Sequence, residues 1–223
     1  MIRLLLLLFI SSFSFSQNEF NEQGERIGLW MGYHGNGDVK YRGHFLNGQE
    51  SGLFKYYDYG GNLVIELDYV ELGVRSNAIL YYSNGVIQSK GEYLNKKKHN
   101  TWMYYNYNGE KIAEESFLHN QLHGASNYFY KNGKLSEKYM YLNNFKHGEA
   151  EIYYKSGFLN IKCNYNLGEL DGFSESYYDK IKQLESKGKY NMGVKDSIWI
   201  FYNESGDTLD LYDYTNNRSL YAE

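Results

Sequence analysis

The chain has 223 residues, is 42% apolar and carries a net charge of -4. That apolar fraction excludes a wholly disordered polypeptide, and charges of mixed sign give no basic stripe for nucleic acid. Tyrosine supplies 26 residues and proline none, which fits half-buried strands in a long hydrogen-bonded ladder.

Residues 1–16, MIRLLLLLFISSFSFS, are expected to form a secretory signal peptide. Arg3 gives a positive start, and Leu4 to Ile10 is an apolar core too short to span a bilayer. Ser14 and Ser16 are small residues placed for cleavage before Gln17. The run is not followed by a cysteine, which argues against an acyl anchor. The expected destination is the periplasm, the outer envelope or the medium. Cys163 is the one cysteine, so no internal disulfide forms and stability has to come from packing.

Residues 17–27 read as an N-terminal cap or half-repeat, and 28–214 divide into eight copies of one unit. Turn glycines Gly37, Gly61, Gly85, Gly109, Gly133 and Gly157 recur every 24 residues. The seventh copy has Ile181-Lys182 in their place and one extra residue, and Gly206 closes the series. Four residues before the turn stand Tyr33, Tyr57, Tyr81, Tyr105, Phe129, Tyr153, Tyr177 and Tyr202. Eight residues after it stand Phe45, Tyr69, Tyr93, Phe117, Tyr141 and Tyr165, continued by Tyr190 and Tyr214. A second, weaker column of Gly28, Gly52, Gly124, Gly148 and Gly172 is taken to start the units, with Trp30, Trp102 and Trp199 close by. The polar tail 215–223 is expected to be a C-terminal cap or a frayed end.

Each unit predicts strand, turn, strand, turn. Between Gly124 and Gly148 the runs are Ser126 to Tyr130 and Leu135 to Leu142, joined at Asn132-Gly133 and ended by Asn143-Asn144. Apolar residues fall two places after the turn (Val39, Leu63, Ile87, Leu135, Leu159, with Lys111 the exception), six places after (Leu67, Tyr139, Cys163) and eight places after. Period-two alternation assigns all three sets to one packed face. Five places after the turn the residues are Arg42, Glu66, Lys90, Glu114, Lys138 and Lys162, assigned to a wet face. The predicted fold is all-β: an elongated, twisted, single-sheet antiparallel meander of about eight 24-residue hairpins. Unrolled, sixteen strands would extend about 75 Å.

Motifs such as GLWMGYHGNGDVKYRGHFLNG (Gly28 to Gly48) and TWMYYNYNGE (Thr101 to Glu110) resemble MORN repeats. They are most similar to the bacterial variant of that repeat, found in YwqK-type antitoxins. The resemblance covers about residues 24–214 and rests on repetition of G-x-W-x-x-Y, a turn glycine, and aromatic-x-N-G. It implies an elongated hairpin scaffold that binds partners and carries no catalytic residues. The signal peptide sets this chain apart from a cytoplasmic antitoxin.

No catalytic constellation, cofactor or metal site is expected. His99, His123 and His147 recur at 24 residues, on what read as equivalent loops. Such loops stand about 10 Å apart, too far to share one zinc ion. His119 is near His123 in sequence, but nothing completes a ligand set. Lys96-Lys97-Lys98-His99 and Lys146-His147 read as a solvated, mildly basic loop edge. The spacing of Asp207, Asp210 and Asp213 matches no calcium loop. Cys163 reads as a buried small side chain.

The candidate binding surface is Trp30, Tyr33, Tyr57, Tyr81, Trp102, Tyr105, Phe129 and Tyr153. The expected function is a non-enzymatic exported scaffold for a protein partner. The alternatives are a module for cell-envelope glycan or for the headgroups of an anionic membrane surface, and an antitoxin or immunity protein. No nucleic-acid partner is expected.

Overall fold

The computed structural model describes residues 17–221, so the signal peptide expected at 1–16 lies outside the described residues. Their regular structure is all strand. In chain order the first nine are β1 (Glu19–Phe20), β2 (Arg26–Tyr33), β3 (Val39–Leu46), β4 (Gln49–Tyr57), β5 (Leu63–Glu71), β6 (Arg75–Tyr81), β7 (Ile87–Leu94), β8 (Lys97–Tyr105) and β9 (Lys111–Leu118). The others are β10 (Gln121–Phe129), β11 (Leu135–Leu142), β12 (Phe145–Tyr153), β13 (Leu159–Asn166), β14 (Glu169–Tyr177), β15 (Leu184–Asn191), β16 (Val194–Tyr202), β17 (Thr208–Asp213) and β18 (Arg218–Ser219). Each strand pairs antiparallel with its neighbours in sequence, from the β1–β2 pair to the β17–β18 pair, in one open sheet. The sixteen long strands are the eight predicted hairpins, and the short end strands cap them. At the first end Phe20 packs edge-on against Trp30 at 5.0 Å.

The two connections within a unit differ. Tyr130 to Lys134 is a loop closed by the Gly133 N–H donating to the Tyr130 carbonyl. Gly133 sits there at φ 79, a left-handed conformation that glycine adopts without strain. The return turn is tighter. Asn143 and Asn144, at φ 49 and 72, alone join β11 to β12, a two-residue turn with both residues left-handed, where asparagine is tolerated. Both long edges are stitched between repeats. On one edge the Asn120, Asn144 and Gly168 N–H groups donate to the carbonyls of Lys98, Leu122 and Lys146.

The second glycine column does not start the units. Gly124 lies inside β10 at φ 99, where the pairing with β9 skips from Leu122 to Ser126. It forms a bulge, which re-aims the side chains that follow. His99, His123 and His147 therefore lie within β8, β10 and β12, not on loops.

A second irregularity, next to the turn, corrects the face assignment. In every hairpin the register shifts just before the aromatic that precedes the turn, as between Tyr128 and Phe129. The pairs there are Tyr33 with Val39, Tyr57 with Leu63, Tyr81 with Ile87, Phe129 with Leu135 and Tyr153 with Leu159. The apolar residues two places after the turn thus share a face with the aromatics before it. Period-two counting fails across a bulge, so they leave the face of Tyr139 and Cys163.

The true core is a single transverse row in which size is matched across strands. Gly43 lies against Phe54, Gly91 against Trp102 and Gly188 against Trp199. A Cβ added to these glycines would come within 2.3, 2.4 and 2.3 Å of the facing ring. Where the first member is larger, the second is small: Leu67 pairs with Ala78, Glu115 with Ser126 and Tyr139 with Ala150, while Cys163 and Ser174 are both small. In a row confined to one layer at fixed strand spacing, a bulky ring leaves room only for a small residue facing it across the return turn. The Trp102 and Trp199 indoles also donate to the Glu92 and Lys189 carbonyls, both at 3.0 Å, satisfying backbone beside the bulges.

Candidate binding surface

The candidate residues divide between the two faces. Trp30 and Trp102 are buried in the size-matched row, with Trp102 at 0% exposure, so neither offers a binding surface. Tyr33, Tyr57, Tyr81, Tyr105, Phe129 and Tyr153 lie on the opposite face. Tyr33 is 53% exposed, and the other five are half-buried.

That opposite face is not simply wet. Its central row runs through paired residues, among them Lys138, Glu151, Lys162, Glu175 and Lys187, five consecutive charges of alternating sign. Lys138 Nζ lies 3.3 Å from Glu151, and Lys55 Nζ lies 2.6 Å from Glu66. The aromatic column leans over this row. The Tyr81, Tyr153 and Tyr177 hydroxyls donate to Glu66, Glu151 and Glu175 at 2.7, 2.9 and 2.6 Å. Burial and these carboxylates push all three phenols up to about 12. The Lys55 and Tyr81 hydrogen bonds hold the Glu66 carboxyl below its ordinary range. Burial opposes ionisation of Glu151, and the hydrogen bonds from Tyr153 and Lys138 outweigh it, so this carboxyl too is lowered. Lys111 Nζ sits 4.2 Å from the centre of the Phe129 ring.

Where the aromatic column meets the turns, an open cleft of about 760 Å³ crosses the fifth to seventh repeats. Leu135, Tyr153, Phe158, Leu159, Tyr177 and Lys182 line it. Beside it runs a hydrogen-bond ladder from one turn to the next. The Tyr82, Tyr130, Tyr154 and Tyr178 hydroxyls donate to the carbonyls of Tyr105, Tyr153, Tyr177 and Tyr202 at 2.9, 2.6, 2.9 and 2.8 Å. Each bond reaches one repeat ahead and holds the next aromatic in place. Sequence reading missed this ladder, although Tyr130, Tyr154 and Tyr178 each directly follow the aromatic of their own repeat.

The basic run also needs correction. Lys98 and Lys146 do not belong to a solvated edge; both lie on the tryptophan face. Lys98 Nζ is 4.7 Å from the Trp102 ring and 5.1 Å from Phe117, and Lys146 Nζ is 3.4 Å from Tyr139. Burial lowers the affinity of both amines for the proton, against the pull of Glu115 on Lys98 and of Glu137 on Lys146. His119 approaches His99, with ring centres 5.7 Å apart, rather than His123. Among the described residues no group of three or more His, Cys, Asp or Glu is placed to hold a metal ion. Cys163 is buried beside Tyr139 and Ala150, and burial pushes its thiol up.

Three of the hairpins match the MORN repeat variant. The matched residues are 77–95, 122–143 and 146–167, which fall on β6–β7, β10–β11 and β12–β13. No curated protein matches the chain. Among solved structures, one similar chain is the crystal structure of TarM, at 13% identity and a TM-score of 0.33, covering 43% of this chain and 19% of that one. Another is the crystal structure of TcdB2-TccC3-Cdc42, at 10% identity and a TM-score of 0.23, covering 85% of this chain and 14% of that one. This chain spans less than a fifth of the length of either.

Proposed function

We propose that the protein is a non-enzymatic, exported repeat scaffold that holds a protein partner against its charge-ladder face. A MORN-type repeat array is compatible with a scaffold and with protein or lipid binding. The observation that carries the reading is the cleft of about 760 Å³ beside the alternating charges. Tyr153 and Tyr177 supply rigid amphipathic rings, Leu135 and Leu159 an apolar floor, and Lys138 to Lys187 a pattern of charge to be matched. Buried aromatic anchors with a charged rim are the usual make-up of a protein-binding patch. The export part of the reading rests on the leader at 1–16. The resemblance to YwqK-type antitoxins makes a toxin one class of partner.

The test is capture from envelope extract by the mature chain, compared with a Tyr153→Ala, Tyr177→Ala double variant. The expected result is a protein retained at micromolar concentration by the parent and lost by the variant. Absence of any partner, together with turnover of a small substrate, would sink the proposal. A second reading, as a glycan or lipid-headgroup module, draws on the exposed Tyr33 and Tyr59 rings at the turn edge. It predicts retention on peptidoglycan, polysaccharide or lipid vesicles with no protein partner present.

A further inference from the structure

The tryptophan face carries one recurrent slot per repeat, and the residue that enters it varies. The slot positions are Arg26, Glu50, Val74, Lys98, Leu122, Lys146, Leu170 and Lys195. Where the residue is a cation, it lies over aromatic rings. Lys98 Nζ is 4.7, 5.0 and 5.1 Å from Trp102, Tyr104 and Phe117. Lys195 Nζ is 4.2, 5.4 and 5.1 Å from Trp199, Phe201 and Tyr214. Arg26 lies 4.8 and 5.1 Å from Trp30 and Phe45. A cation over ring faces is attracted by their negative quadrupole.

The second slot has the same three rings at the same spacings in sequence, Phe54, Tyr56 and Tyr69, with ring centres 6.4 Å apart for Phe54 and Tyr56 and 5.5 Å for Phe54 and Tyr69. In place of the lysine stands Glu50. A carboxylate beside electron-rich ring faces inverts the charge of the slot. Its counterion is Lys96, reaching from a neighbouring turn at 3.4 Å with its side chain 72% exposed. The next slot residue is the short Val74, and an open cavity of about 290 Å³ remains between Glu50, Tyr56, Tyr69 and Tyr93. Burial first, and the Glu50 charge second, push the Tyr56 and Tyr69 phenols up.

We infer that the Glu50 slot is a binding site for a primary alkylammonium group, the end of a lysine side chain on a partner polypeptide. The chain's own cationic occupants of equivalent slots are the precedent: of Arg26, Lys98, Lys146 and Lys195, three are lysines. An incoming ammonium would sit on the three rings as Lys98 does and pair with Glu50, displacing the loosely held Lys96. The inference goes beyond the charge-ladder reading, because the slot lies on the tryptophan face; it shares with that reading only a polypeptide partner, and its test needs no partner, so the two can fail separately.

The test is titration of the full mature chain with butylammonium chloride, followed by the NMR signals of the Tyr56 and Tyr69 rings, with sodium chloride at equal strength as control. The expected result is saturable movement of both rings with butylammonium alone. Glu50→Gln should weaken it about tenfold, the removal of one ion pair at a part-buried site. Glu50→Lys should abolish it by filling the slot from within while leaving the circular dichroism spectrum unchanged. Should Glu50→Lys fail to fold, the Glu50→Gln comparison decides alone. Ring movement matched by sodium, or undiminished in the folded variants, would overturn the site. Tighter binding of tetramethylammonium than of butylammonium would overturn the assignment to lysine.

Discussion

Trp102 and Tyr105 lie three residues apart on β8 and point to opposite faces of one sheet. The Trp102 ring occupies the space a Gly91 side chain would fill, and its indole satisfies a backbone carbonyl. Tyr105 is half-buried, with Lys90 5.8 Å from its ring and its hydroxyl toward Met103. The first face is interlocked by volume, pair by pair. The second is held by ion pairs, hydroxyl–carboxylate bonds and the turn ladder, which leave ring surface open. A single-layer sheet has no second layer to bury its core, so one row of side chains has to seal itself. The opposite face is then free to vary.

The largest way to break this contrast is Gly91→Val. It forces branched carbon into the Trp102 ring and is expected to cost about 3 kcal/mol, read by urea denaturation. Lys90→Val, the neighbouring residue on the other face, should change stability far less.

Alkaline titration should separate the faces next. The ordinary tyrosine value is 10.0, and Tyr81, Tyr153 and Tyr177 are raised to about 12. Tyr104, Tyr128 and Tyr139 on the tryptophan face are pushed up further, by burial first and nearby carboxylates second. A folded-state value raised above the unfolded one contributes stability that is present below pH 10 and is lost as pH rises through the folded value. The expected outcome is unfolding that begins above pH 10, with phenolate absorbance from the tryptophan face appearing only as circular dichroism is lost.

Smaller still is Tyr130→Phe, which removes one rung of the turn ladder and leaves a partly buried Tyr153 carbonyl unpaired. The expected loss is about 1 kcal/mol. Hydrogen exchange should show loosening confined to the fifth and sixth repeats. Lys138→Ala, in the charge row, should cost at most about 1 kcal/mol, an effect that shrinks with added salt.

Much of this was legible in the sequence. The turn glycines, the 24-residue period and the aromatics eight places after the turn gave the hairpin array, and the charged residues five places after gave one face. The face of Val39, Leu63 and Leu135 was misread because a bulge between them and Tyr139-type positions breaks the two-residue alternation. Gly124 reads as a boundary in sequence because a bulge glycine and a loop glycine look alike there. The core row is visible in the sequence as an eleven-residue spacing. Gly43, Leu67, Gly91, Glu115, Tyr139 and Gly188 are followed eleven places later by Phe54, Ala78, Trp102, Ser126, Ala150 and Trp199, with sizes compensating. Lys98 and Lys146 looked solvated because charge patterning is blind to rings brought in from neighbouring strands. The division of Trp30 and Trp102 from Tyr33 and Tyr105 follows from their three-residue spacing, which places them on opposite faces.

The tryptophan face holds the fold, and the aromatic column of the other face contributes little to it. The most direct test is equilibrium urea unfolding of Trp102→Ala and Tyr105→Ala side by side. The account predicts a loss of about 3–5 kcal/mol for Trp102→Ala and a loss several times smaller for Tyr105→Ala. Equal losses, or a larger loss at Tyr105, would contradict it.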